Sequence, residues 1–128
     1  PSDLLRPGGA AALRRALTYI VEAAPASLEP NAPGERQLAF NLTVFSHMLG
    51  TPLEPDVSNA VLLLEDVGEH MYRIDRSFFH VLSSPAVRRC AGVRLGRFEV
   101  PDNDVPFGLT DEDVARHWCD RSGVAYLG

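Results

Sequence analysis

The stretch VLLLEDVGEHMYRIDR, Val61 to Arg76, concentrates the side chains most able to do chemistry. Glu65 and Asp66 are adjacent, and Glu69 and His70 follow at once. A carboxylate near an imidazole can serve acid–base catalysis, or can orient a histidine that does. The plainer reading is the solvated end of a strand. Taken as metal ligands, Asp66, Glu69 and His70 would form an oxygen-rich site with one nitrogen, but their spacing is no recognised ligand pattern and no metal is assigned. His70 is a candidate for lining a substrate cleft, with an ordinary loop histidine as the alternative. His47, His80 and His117 read as packed or half-exposed helix residues. Ser77, Ser83, Ser84 and Ser122 fall where helix surfaces, helix ends or turns explain them, and none stands in a nucleophile-elbow setting. Arg73, Asp75 and Arg76 suggest an ion-pair cluster at a helix start. Arg94 and Arg97 could bind a carboxylate or meet acids of a neighbouring subunit.

These residues need a scaffold, and the periodicity supplies one. Ala60 to Leu64 is a continuous apolar run, as in a strand buried on both faces, so Glu65 and Asp66 are expected just past its C-terminal end. In open α/β sheets, ligands collect at that edge. Ile74, Phe78, Val81 and Leu82 give a helix after it. Gly92 to Phe98 alternates Val93 and Leu95 against arginines and reads as a half-covered strand. Thr110 followed by Asp111, Glu112 and Asp113 predicts a capped helix with Val114 and Trp118 facing inward, stopped by Gly123. Val124 to Leu127 is expected to be a last strand. Upstream, Arg36 to Phe40 suggests a short strand and Asn41 to Leu49 a helix, while Leu13, Leu17, Ile20 and Ala24 form a helical stripe within Gly9–Ala24. The order strand, helix, strand, helix, strand implies α/β architecture with a parallel sheet.

Composition narrows the class. A chain of 128 residues with 45% hydrophobic and 23% charged residues suits one globular domain with its own core. The net charge of −5 argues against nucleic acid or an anionic membrane as partner. No apolar run reaches transmembrane length. The two cysteines, Cys90 and Cys119, read as buried small hydrophobes, which makes a reducing compartment the default.

LLLEDVGEHMYRIDR also resembles the signature of the LD-carboxypeptidases, the serine peptidase family that includes the microcin-immunity proteins. That signature has a hydrophobic strand, Leu-Glu-Asp, a second Glu and a Tyr-Arg-Ile-Asp-Arg helix entry. NLTVFSHMLGTPLEPD (Asn41–Asp56) looks like the family's Gly-Gly-Asn-Leu helix and Gly-Thr-Pro turn. AGVRLGRF (Ala91–Phe98) looks like its next strand, and SGVAYLG (Ser122–Gly128) like the strand before its catalytic histidine.

The resemblance implies a two-domain enzyme in which an N-terminal domain carries the serine and a swivelling β/β/α C-terminal domain supplies a glutamate and a histidine. On that basis residues 1–35 are a linker helix and loop, and residues 36–128 are the C-terminal-like domain, with a small, largely parallel sheet flanked by helices. Glu65 matches the catalytic glutamate. The implied partners are the missing nucleophile domain, a muropeptide-like substrate and a second subunit in a homodimer; the implied location is cytoplasmic, with no cofactor. Two departures stand out: Ala39-Phe40 replaces the Gly-Gly pair, and His70-Met71 follows Glu69 where proline is common. No residue matches the nucleophile, and the family's histidine would fall beyond Gly128, so the chain alone is expected to be inactive. The alternative is a non-catalytic α/β module that binds a peptide or a partner domain.

Overall fold

The computed structural model describes residues 35–128 and three helical positions, Ala10, Ala11 and Arg14. The chain falls into two units, Pro1–Gly34 and Glu35–Gly128. Apart from those three positions, the helix expected over Gly9–Ala24 lies outside the described residues.

The second unit runs β1 (Gln37–Asn41), α1 (Leu42–Met48), β2 (Val61–Val67), α2 (Met71–Ser83), a 3₁₀ turn (Val87–Arg89), β3 (Gly92–Glu99) and α3 (Asp111–Ser122). The strands form a parallel sheet in the order β1-β2-β3. Residues Val124–Leu127, expected as a last strand, reduce to a single parallel bridge between Val93 and Tyr126. The segment still lies along β3. Val93 N–H donates to the Ala125 carbonyl at 2.8 Å, Leu127 N–H to the Val93 carbonyl at 2.8 Å and Leu95 N–H to the Gly128 carbonyl at 2.7 Å.

Strand alternation sorts the sheet into two faces. Leu62, Leu64 and Asp66 turn toward the helices; Leu63 and Glu65 turn the other way and are half-buried. α2 buries Met71, Ile74, Phe78, Val81 and Leu82, which recur at helical spacing. They share one core with Leu42 and Phe45 of α1 and Val114, Ala115 and Cys119 of α3. Phe45 and Phe78 are fully buried, and each such side chain contributes about 2–3 kcal/mol relative to an exposed one. Desolvation pushes the Cys119 thiol up to about 12, so it behaves as a small hydrophobe, as expected from sequence. No helix among the described residues is long and apolar enough to cross a membrane.

α3 starts where its sequence said it would. The Thr110 hydroxyl accepts from Asp113 N–H at 3.1 Å, and the Asp113 carboxylate accepts from Thr110 N–H at 3.0 Å, which completes a capping box. Gly123 ends the helix at φ +74°, a conformation that favours glycine.

A further expectation is corrected. Glu65 and Asp66 do not lie past the end of β2; they lie inside it, and pairing continues to Val67. Two adjacent acids fit a strand here because the pleat sends them to opposite faces, where each meets a different environment. β3 adjusts to them. Leu64 pairs with Leu95 but Asp66 with Phe98, so β3 carries one extra residue, a bulge at Gly96–Arg97 opposite Glu65.

Candidate functional site

Asp66 is 3% exposed and saturated with donors. One oxygen accepts from Asn41 Nδ2 at 2.8 Å and from Val67 N–H at 3.0 Å. The other accepts from Thr43 N–H at 2.9 Å and Thr43 Oγ1 at 2.7 Å. Asn41 is itself the N-cap of α1, its Oδ1 accepting from Val44 N–H at 3.0 Å. Asp66 therefore ties the end of β2 to the start of α1, and its lone pairs are committed to that task.

Glu65 is different in each respect. It is half-buried, pairs through its backbone with Asn41 of β1, and its carboxylate has no hydrogen-bond or ion-pair partner among the described residues. The bulge glycine sits against it: a Cβ at Gly96 would stand 3.0 Å from the Glu65 Cβ and 3.3 Å from the Leu64 carbonyl oxygen. A side chain there would press on Glu65. Glycine in the bulge thus allows β3 to approach β2 closely beside this carboxylate.

His70 is the N-cap residue of α2 but caps nothing with its own ring. Its Nδ1 lies 2.8 Å from Asp104 Oδ1, and Asp104 Oδ2 accepts from Met71 N–H at 3.0 Å. Asp104, from the loop after β3, thereby caps α2 from a distance and fixes the imidazole. The Met71 N–H, aided by His70, holds the Asp104 carboxyl below the usual range. The His70 side chain remains 31% exposed, and its ring stacks on Tyr72 at 5.8 Å between centroids.

The acid-rich stretch is therefore dispersed by the fold. Asp66 faces the helices, Glu65 the opposite side, and His70 a loop aspartate. Asp66, Glu69 and His70 are not brought together as a ligand set. The expected Arg73–Asp75–Arg76 cluster does not form either: Arg73 pairs with Glu69 at 3.4 Å, and the Asp75 carboxylate accepts from Trp118 Nε1 at 2.7 Å. Asp75 is drawn to the indole because burying an N–H without an acceptor is costly. Arg94 pairs within the chain, 3.7 Å from Glu35.

Three residues central to this geometry carried no sequence reading of their own: Thr43, Asp104 and Gly96. Thr43 and Asp104 reach partners at sequence separations of 23 and 34. Gly96, a lone glycine inside a strand pattern, was a usable signal for a bulge.

Comparison with known proteins matches residues 36–124 to the family described as the LD-carboxypeptidase C-terminal domain. A Synechocystis sp. protein named as a carboxypeptidase is 41% identical over 88 residues, which cover 69% of this chain and 29% of that protein. The murein tetrapeptide carboxypeptidase of Pseudomonas aeruginosa is 38% identical over 72 residues, covering 54% of this chain and 23% of that one. The crystal structure of muramoyltetrapeptide carboxypeptidase from Oxalobacter formigenes superposes with a TM-score of 0.59 at 28% identity, over 72% of this chain and 32% of that chain. The chain thus spans about a quarter to a third of the length of these relatives.

Proposed function

The chain belongs to the LD-carboxypeptidase C-terminal domain family, and from that premise we propose that it supplies the orienting glutamate of a Ser-His-Glu triad in a serine peptidase that hydrolyses L,D-peptide bonds of murein tetrapeptides or related amides. The serine would come from an N-terminal nucleophile domain, and the histidine from chain beyond Gly128. The observation that carries the assignment is the contrast at the end of β2. Asp66 has spent its lone pairs on Asn41, Thr43 and Val67, whereas the Glu65 carboxylate is unpartnered among the described residues and free to accept from an imidazole.

In this role Glu65 accepts the Nδ1–H of the triad histidine. That fixes the tautomer, so Nε2 can take the serine proton as the hydroxyl attacks the scissile carbonyl. The negative charge then stabilises the imidazolium until the proton passes to the leaving amine. Glu65 does not itself take the proton. A strand residue flanked on both sides by hydrogen-bonded strands is suited to this, because an orienting group must hold position. His70, with Nδ1 turned to Asp104, offers Nε2 to the bound peptide.

The test uses the complete protein that joins this chain to a serine-bearing domain. Glu65→Gln is expected to keep the fold and lower kcat about 10⁴-fold, the loss that removing the orienting carboxylate brings in serine proteases. Release of D-alanine from a murein tetrapeptide, followed by mass spectrometry, reads the effect. Turnover within tenfold of the parent would sink the assignment. The 128-residue chain alone is expected to release no D-alanine.

A further inference from the structure

α1 and α2 each begin just after neighbouring parallel strands, and they pack side by side over the sheet. While α2 turns Ile74, Phe78, Val81 and Leu82 to the core, its next stripe carries Arg73, Arg76, Ser77 and His80, spaced to share one helix face. That stripe borders α1 across a groove of about 480 Å³, to which α1 contributes Thr43 and His47. Neighbouring helices in such a layer commonly meet through apolar side chains. Here the groove carries two arginines and two histidines against a single carboxylate, Glu69, in a chain whose net charge is −5.

One of the two arginines is uncommitted. Arg73 is engaged, by Glu69 at 3.4 Å and the Tyr72 hydroxyl at 3.0 Å. Arg76 lies over the Tyr72 ring at 5.9 Å, and among the described residues its guanidinium has no hydrogen-bond or ion-pair partner; His47 and His80 have none either. Two of the backbone donors that would favour a phosphate are already taken. Thr43 N–H is held by Asp66, and Met71 N–H by Asp104. What remains is one guanidinium fork without a hydrogen-bond partner, in a groove that His47 and His80 also line. That set matches the geometry and single charge of one carboxylate.

We infer that the α1–α2 groove is a binding site for a carboxylate group of a small ligand, with Arg76 as the two-pronged anchor and His47 and His80 as flanking donors. The site stands independently of the role of Glu65, which does not line it.

The test titrates the 128-residue chain with glutarate at pH 7 and constant ionic strength, following the imidazole resonances by NMR. His47 and His80 should shift saturably. His117, on α3 against Trp118 at 4.9 Å between ring centroids, should not. Arg76→Gln should weaken glutarate at least tenfold, and Arg76→Lys, which keeps charge but not the fork, by an intermediate factor; unchanged backbone spectra establish that each variant is folded. Absence of saturable shifts, equal shifts at His117, or unaltered affinity in both variants would overturn the site. Inorganic phosphate binding as tightly as glutarate would overturn the carboxylate assignment. None of these readouts depends on peptidase turnover, so failure here is separable from failure of the triad assignment.

Discussion

The N-termini of α1 and α2 are both closed by aspartates from elsewhere in the chain, and the two closures are built differently. Asp66 belongs to a regular strand, is buried, and gathers two backbone and two side-chain donors. Asp104 belongs to a loop; it gathers Met71 N–H, its neighbour Val105 N–H and an imidazole that is itself partly exposed. The first closure joins two strands and a helix, so its loss disturbs the sheet. The second fastens a loop onto a helix start, so its loss releases the loop and frees His70. α3 offers a third case, in which Thr110 and Asp113 close the helix from within four residues. Of the three, the cap supplied by a buried strand residue ties together the most of the fold, although the loop aspartate reaches across more of the sequence.

The sharpest way to break the comparison is Asp66→Ala. It leaves buried donors on Asn41, Thr43 and Val67 without an acceptor, and each buried unsatisfied group costs about 1–3 kcal/mol. A loss of about 3 kcal/mol is expected in urea unfolding at pH 7. A loss below about 1 kcal/mol would mean that water replaces the carboxylate and that burial does not set the cost.

Asp104→Asn should have a smaller effect with a distinctive pH signature. The native Asp104 carboxyl is held low, first by Met71 N–H. A group with a depressed native pKa contributes stability above its unfolded value, near 4, and loses it as the pH falls through the native value. The stability gap between parent and variant should therefore close on acidification below about 4. A gap unchanged at low pH would assign the effect to shape and not to charge. The loop should also become more accessible to protease near Val105, which is 78% exposed.

Thr110→Ala completes the series at about 1 kcal/mol, the usual worth of a threonine cap, and should leave hydrogen exchange in β2 and α1 unaltered. Protection lost at those distant elements would show that the local cap is coupled to the sheet.

Much of this architecture is written in local sequence. The apolar run Val61–Leu64 becomes β2, the stripe Ile74–Phe78–Val81–Leu82 becomes the buried face of α2, and Thr110 with Asp113 caps α3. Each rests on interactions within a few residues or on a repeat that one buried face imposes. The motif around Glu65 likewise marked the family. The sequence could not divide labour between Glu65 and Asp66, because two adjacent acids are chemically alike until a pleat sends them to opposite faces. Nor could it pair Asp66 with Thr43, or His70 with Asp104, across separations of 23 and 34 residues. Those choices follow from strand register, from the bulge at Gly96–Arg97 and from the deeper burial of one carboxylate than of its neighbour. Such quantities exist only once the strands and helices have packed.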